Sequence, residues 1–477
     1  MSLLKKTRKP GISRADSRQP EAASIAEIKK AAKGVVGNLI VNPAGKKSAN
    51  KFAEAYRDPR FEEFATMLKQ VNSRGDAVAK AEDLPIIKIV DNLFELAYHS
   101  RASDIHIEPF ESQTFIRLRI DGLLHDIAQI PKVLHRLITT RIKILSRLRT
   151  DEQRAPQDGR LGFKVENEKV DVRVSIIPVL YGEKVVLRLL SAKVSEYDLE
   201  SLGFAKEQLE IFTRHIKKPW GMILVTGPTG CGKTTTLYAV LKKLNQREVN
   251  ISTIEDPVEY DIEGVNQVQV NPKVGLTFAT GLRSIVRQDP NIIMVGEIRD
   301  EETAKISINS ALTGHLVLST LHTNDAATTL TRLLDMGVEP FLVSSTVNLA
   351  IGQRLVRKIC DKCKEKVGID KEKLALIKKQ FSPGLIKKYK LDSPDVKLYA
   401  GRGCPECQQT GYWGRFGIFE LLEMSNEIKE MIMAKTDAVK IAARAIEKGM
   451  MPMVEDGLIK AMAGLTTLDE ILRVTKE

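Results

Sequence analysis

Met222-Ile-Leu-Val-Thr226 is a short apolar run that leads straight into Gly227-Pro-Thr-Gly-Cys-Gly-Lys233-Thr234, and no other stretch restricts the fold as tightly. These eight residues satisfy G-x-x-x-x-G-K-[ST] in full. The run before them predicts a central strand, and Thr235–Leu244 after them predicts a helix. The chemistry explains the composition. Gly227, Gly230 and Gly232 let the backbone wrap a polyphosphate with its N–H groups, and the following helix offers its positive end. Lys233 then reaches the β- and γ-phosphates, and Thr234 supplies a hydroxyl to Mg²⁺. Pro228, Thr229, Cys231 and Thr235 complete the nucleotide-binding set expected for ATP, with Cys231 read as a small residue filling a tight turn.

A loop of this kind needs a parallel sheet around it, and the surrounding pattern supplies one. From residue 205 to about 350, helical stretches alternate with β-branched runs, the signature of βαβ units. A smaller α/β unit is expected over 84–195. Ile86–Ser100 and Lys132–Leu148 read there as helices, and Ser103–Pro109, Thr114–Ile120, Lys169–Ile176 and Lys184–Leu190 as strands. Residues 196–204 read as a linker and 51–83 as a small helical module. The fold class is therefore α/β: an ATPase domain over 205–477, ending in a helical part over 420–477, preceded by the smaller unit.

Hydrolysis requires acids at strand ends beside the loop. Asn250–Glu259 is a β-rich run ending in Glu255, Asp256 and Glu259, which suits orienting water. Asn291–Glu297 is an apolar run capped by a carboxylate, in the general form of a Walker B element. Gly296 stands where an aspartate is usual, which implies that Glu297 holds Mg²⁺ partly through water. His315 and His322 flank a further apolar strand. A single histidine there reads as a packed strand residue, but a pair suits sensing a phosphate.

The cysteines carry the second signal. Cys360-Asp-Lys-Cys363 and Cys404-Pro-Glu-Cys407 are two C-x₂-C pairs, which supply four thiolates for a tetrahedral, structural Zn²⁺ within an insert over 356–412. Five cysteines in 477 residues are not a disulfide framework, and no signal-peptide pattern follows the basic N-terminus, so a reducing, cytoplasmic setting is expected. The longest uncharged run, Ile306–Asn324, contains two His and two Asn and reads as core, not as a membrane span.

The net charge of +12 is concentrated. Residues 1–50 hold eleven Lys or Arg against three Asp or Glu, leaving +4 elsewhere. This tail reads as solvated, disordered or only partly helical. Its basic clusters beside Val35–Val41 also suit anionic lipid headgroups or an acidic partner. No aromatic-interleaved basic groove supports a nucleic-acid partner.

Taken in order, Gly227–Thr234, Ile254–Glu259, Arg287–Asp300 and Thr313–His322 resemble the type II secretion and type IV pilus ATPases of the GspE/PilB kind, in the secretion ATPase superfamily. The resemblance covers roughly 84–477 and extends upstream through Ala102–Pro109 and Pro156–Arg160. It implies a RecA-like P-loop ATPase domain preceded by an N2-type domain. It implies Glu259 as the general base, Glu297 as the Walker B acid, and His315 and His322 as a His box reporting the γ-phosphate. Arg160 and Arg173, with Arg188, would reach from the N2-type domain towards the nucleotide, a task that Arg283 and Arg287 also suit. A tetracysteine insert belongs to assembly ATPases of this family and not to the retraction type. The expected object is a homohexamer docked on inner-membrane platform proteins and driving pilus or pseudopilus assembly. A nucleic-acid-stimulated translocase and a zinc-stapled scaffold that binds nucleotide without turnover are the alternatives.

Overall fold

The computed structural model describes residues 63–68, 85–190, 197–369, 371–393, 396 and 398–475. The basic tail expected over 1–50 lies outside the described residues, as does most of the module expected over 51–83. Residues 63–68 of that module are helical, with Phe64 and Leu68 buried.

The upstream unit is a six-stranded sheet ordered β3-β2-β1-β6-β5-β4, built from β1 (Ala102–Pro109), β2 (Thr114–Ile120), β3 (Leu123–Ile130), β4 (Gln157–Val165), β5 (Glu168–Val179) and β6 (Gly182–Leu190). Every pairing in it is antiparallel. Such a sheet covers one face and leaves the other polar. In β2, Ile116, Leu118 and Ile120 are buried, while Phe115, Arg117 and Arg119 alternate with them and are only half-buried. The buried face packs against α1 (Ile86–His99) through Ile89, Leu93 and Phe94, and against α2 (Lys132–Leu145) through Leu134, Ile138 and Ile142.

In the stretch expected to link the two units, Leu199 and Leu202 are buried, and Gly417 N–H donates to Leu202 O at 2.8 Å. That part of the stretch packs on the second unit because its two leucines sit in that unit's core.

The second unit is a seven-stranded sheet ordered β15-β12-β7-β11-β10-β8-β9. Its strands are β7 (Gly221–Thr226), β8 (Ile251–Glu255), β9 (Asn266–Gln269), β10 (Ile292–Val295), β11 (Leu316–Leu321), β12 (Val347–Ile359) and β15 (Tyr412–Glu423). All neighbours are parallel except β12 and β15. Both faces are covered, so β7 is buried at every residue and apolar over Met222–Val225, as the strand before a phosphate loop should be. Ile223 and Val225 face the core formed with α3 (Lys206–Ile216) and α4 (Lys233–Leu244). Met222 and Leu224 face the core formed with α5 (Phe278–Ile285), α6 (Glu301–Leu312), α7 (Ala326–Asp335) and α8 (Pro340–Thr346). The Ile306–Asn324 run is divided between α6 and β11, and no helix among the described residues is long and apolar enough to cross a membrane.

The β12–β15 pair carries the cysteine insert at its far end, with a two-stranded ladder of β13 (Lys364–Val367) and β14 (Leu398–Gly401). Between them lie α9 (Lys371–Gln380) and α10 (Pro383–Tyr389), which share one core with the C-terminal α13 (Met453–Met462) and α14 (Leu468–Thr475) through Ile377, Phe381, Leu458 and Ile471. That shared core accounts for the forty residues between the cysteine pairs. The other two C-terminal helices, α11 (Asn426–Met433) and α12 (Ala438–Glu447), pack under the parallel sheet.

Candidate functional site

Parallel register brings separate stretches of sequence to one edge. Thr226 pairs with Leu321, Ser319 with Val295, and Val295 with Ile254, so the C-terminal ends of β7, β11, β10 and β8 line up. Ligands of open parallel sheets bind outside those ends. From this edge emerge the loop 227–234, His322, Glu297 and the segment Glu255–Glu259.

The loop itself is shaped by backbone that side chains resist. Gly227, Gly230 and Gly232 have φ of +147°, +79° and +91°, and Gly232 caps α4 in the left-handed region. A Cβ on Gly227 would sit 2.5 Å from Gln353 O and 2.6 Å from Cys231 Sγ, so only glycine fits. Lys233 is buried, and its Nζ donates to Gly227 O at 2.8 Å and Pro228 O at 3.2 Å. Burial pushes its ammonium below the usual lysine range, while Cys231 and Glu297 oppose the shift. Thr234 is exposed at the helix start, Thr235 is half-buried, and Pro228, Thr229 and Gly230 are exposed. Cys231 is buried, and burial pushes its thiol up, away from the reactive thiolate form. The positive-φ glycines, the helix start, the lysine and the exposed hydroxyl fit ATP with Mg²⁺.

Two residues that sequence reading missed reach this edge from β12, and the first of them holds the loop. Gln353 Nε2 donates to Cys231 O at 2.8 Å while its Oε1 accepts from Thr236 Oγ1 at 2.8 Å, and Arg354 donates to Asn324 O at 2.9 Å. Both lie more than a hundred residues from the loop, and only the β7–β12 pairing brings them there.

Glu297 sits on the same edge, within 3.0 Å of His322 Nε2 and ion-paired with Arg299. Burial opposes its ionisation, but the bonds from Arg299 and His322 outweigh that and hold the carboxyl below its usual range. Arg299 also lies 3.9 Å from Asp256. Gly296 has a steric reason: a Cβ there would lie 3.3 Å from Ile254 O and 3.4 Å from Glu255 Cα, so an aspartate would press on the end of β8.

His315 is not brought to this edge of its own chain. It precedes β11, its Nδ1 lies 2.8 Å from Ser310 O, and its carbonyl accepts from Gly221 N–H at the start of β7. The six-residue strand between the two histidines separates them by roughly 20 Å.

The arginines come from the antiparallel sheet. Arg160 pairs with Arg173, Arg173 with Arg188, and Arg188 with Asp104, which also pairs with Arg119, so one cross-strand row runs Arg160, Arg173, Arg188, Asp104, Arg119. Like charges directly opposite on adjacent strands repel, so such a row needs anions. Asp104 serves Arg188 at 3.0 Å and Arg119 at 3.4 Å. Arg173 instead crosses to the other unit, where its Nη2 donates to Glu259 Oε2 at 2.9 Å and to Val258 O at 2.9 Å. Arg160 is exposed and makes no ion pair among the described residues. Both arginines line a cleft of about 430 Å³ with Arg147, Val258 and Glu259. Arg283 and Arg287 are engaged elsewhere: the first pairs with Glu302, and the second donates to Arg283 O at 2.8 Å.

Cys360, Cys363, Cys404 and Cys407 gather with all four sulfurs within 4.8 Å of one another. The Cys360–Cys404 and Cys363–Cys407 sulfurs are 3.8 Å apart and the Cys404–Cys407 sulfurs 3.6 Å, far beyond a disulfide's length. A tetrahedron with Zn–S bonds of ~2.3 Å has edges of ~3.8 Å, so the cluster fits Zn²⁺. Backbone N–H groups of Cys404 and Gly411 each point at Cys407 Sγ at 3.2 Å, suiting a thiolate.

Comparison with known proteins agrees with this geometry. Residues 79–473 match the family described as Type II/IV secretion system protein. The chain is 46% identical over 417 residues to the type II secretion system ATPase E of Vibrio cholerae, covering 87% of this chain and 80% of that protein. It is 44% identical over 407 residues to the type IV pilus assembly ATPase PilB of Pseudomonas aeruginosa, covering 85% and 70%. Among solved structures, the pilus retraction motor PilT with bound ADP aligns at a TM-score of 0.54 and 26% identity, covering 82% of this chain and 97% of that one. The Legionella pneumophila ATPase DotB aligns at 0.59 and 20% identity, covering 81% and 95%, a likeness of fold. With its complete phosphate loop at the edge of a parallel sheet, this chain belongs to the type II/IV secretion system protein family, as an ATPase of the GspE/PilB kind.

Proposed function

We propose that this chain is a Mg²⁺-dependent ATPase motor that powers assembly of a pilus or pseudopilus. In this reading it works as a homohexamer at the cytoplasmic face of the inner membrane, against platform proteins of its machine. The observation that carries the coupling of hydrolysis to motion is Arg173, which reaches from one unit's sheet to Glu259 on the loop after β8 of the other.

The residues divide the work. Loop N–H groups and Lys233 bind and orient the phosphates, and Thr234 with Glu297 would hold Mg²⁺, the glutamate through water. Bound ATP supplies the phosphoanhydride to be cleaved. Glu259 accepts the proton of the attacking water, and Arg173 and Arg160 offset the negative charge that develops. Arg173 and Glu259 share one ion pair, so an anion drawn into the cleft competes with Glu259 for the guanidinium. His322 holds Glu297 and would report on its occupancy, whereas His315 is left to a structural part. Zn²⁺ would be structural, since four thiolates leave no open position. The tail 1–50 is proposed to meet anionic headgroups; unchanged flotation with anionic vesicles after its removal would exclude that.

Phosphate release by the purified hexamer tests the reading, measured alone and with DNA, RNA or a platform protein's cytoplasmic domain. Stimulation by the platform domain is expected. Stimulation by nucleic acid alone would point to a translocase, and no release from a confirmed hexamer would leave a nucleotide-binding scaffold.

A further inference from the structure

The loop that carries Glu259 is hung from a buried bracket that no phosphate contact explains. Tyr238 lies on α4, the helix that opens with the phosphate loop, and is fully buried. Its hydroxyl donates to Glu255 Oε2 and accepts from the backbone N–H of Glu259 at 3.2 Å and from Gln267 Nε2 at 3.4 Å. Glu255 is 2% exposed and also accepts from Thr253 Oγ1 at 2.5 Å and Gln267 Nε2 at 3.2 Å. Gln267 in turn donates to Tyr260 O at 3.2 Å and accepts from Ile262 N–H at 2.8 Å. Tyr238 and Gln267 thus hold the backbone at Glu259 and just beyond it, with Glu255 fixing both side chains, and the Tyr260 ring closes over Tyr238 edge-to-face at 4.6 Å.

A packing role alone would need only the ring. A buried hydroxyl with three partners is costly to assemble and costly to disrupt, since each partner is then left unpaired. The bracket also joins the two things that hydrolysis must keep in register, the helix behind the phosphates and the backbone of the proposed base. We propose that Tyr238 is a positioning residue for Glu259, its hydroxyl tying the base-bearing loop to the phosphate-loop helix. This rests on the reading of Glu259 as the general base. Glu255 serves as the buried anchor; burial raises its carboxyl above the usual range, even against the bonds from Thr253, Tyr238 and Gln267.

The test compares the Tyr238→Phe, Gln267→Met and Glu259→Gln hexamers. Tyr238→Phe is expected to lower kcat by about 10-fold with the KM for ATP within about 2-fold, because a misplaced base slows the chemical step without loosening the phosphates. It should weaken binding of ADP with aluminium fluoride by a similar factor and leave ADP binding alone. A purely structural role would weaken both ligands together, and that result, or an unchanged kcat, overturns the proposal. If Tyr238→Phe forms no hexamer, Gln267→Met decides by the same pattern at about 3-fold. Glu259→Gln separates the two readings: if it turns over normally, Glu259 is not the base and the proposal falls with it. If it is inactive while Tyr238→Phe is normal, only Tyr238 is lost.

Discussion

Every group of the phosphate loop lies within residues 227–235, whereas the arginine cleft is assembled from Arg160 and Arg173 on one sheet and Glu259 on a loop of the other unit. The first needs, beyond its own strand, turn and helix, only the clamp of Gln353 within the same sheet. The second exists only while two separately cored units stay docked. In the proposed mechanism, nucleotide binding and nucleotide hydrolysis are therefore separable, and moving one unit against the other would alter the second without dismantling the first.

The largest expected effect breaks the comparison from the loop side. Lys233→Ala should lower phosphate release by about 1,000-fold and weaken ATP binding too, because both need the same charge. Residual turnover near the starting level would mean that the loop is not where the phosphates sit. Arg173→Ala tests the other half: kcat should fall by about 30-fold while nucleotide affinity, read by fluorescent ADP titration, stays put. A loss of affinity instead would merge the two halves into one.

Zinc removal sharpens the division. The cluster adjoins the docking contact, since Gly411 N–H faces Cys407 Sγ, Trp413 lies under the Arg101 guanidinium at 3.7 Å, and Gly414 N–H donates to Asp121 at 3.1 Å. Cys404→Ser, or chelation, should release the metal, lower the melting midpoint and cut turnover by about 5-fold while sparing ADP affinity. Metal analysis and thermal melts read it, and an unchanged midpoint would remove the structural role.

The smallest effect is a pH effect at the same end of β12. Glu470 accepts from Arg357 at 2.7 Å and from Arg473 at 2.7 Å; burial opposes its ionisation, but these bonds hold its carboxyl down at about 2. A depressed folded value means that the stabilisation is fully present above the unfolded pKa and is lost as pH falls from ~4.3 towards 2. Glu470→Gln should therefore cost about 1–3 kcal/mol near neutral pH, with the gap to the unsubstituted protein in urea unfolding narrowing below pH 4. A gap constant with pH would show that the pairs contribute nothing.

The loop and the cysteine pairs were legible because their chemistry is set by neighbours in sequence. Glycines at fixed offsets impose φ, and two C-x₂-C pairs offer thiolates wherever the chain folds back. Glu297 was legible as a carboxylate ending an apolar run, and the absence of an aspartate at Gly296 was visible too, though its steric cause in the end of β8 was not. The histidines mark the limit: two residues flanking one strand look paired in sequence, yet a strand sends its ends to opposite edges of the sheet.

By itself, the sequence determined that this chain carries a complete phosphate-loop motif over Gly227–Thr234, two pairs of cysteines and the pattern of a parallel sheet, because these follow from local periodicity and spacing. Only the tertiary structure decided that Gln353 clamps the loop, that Tyr238 holds the backbone of Glu259, and that Arg173, not Arg188, crosses the cleft. The physical reason is register. Which strand lies beside which, and which anion each arginine meets, is fixed by long-range pairing and packing between units, and neither is written in the spacing of residues along the chain.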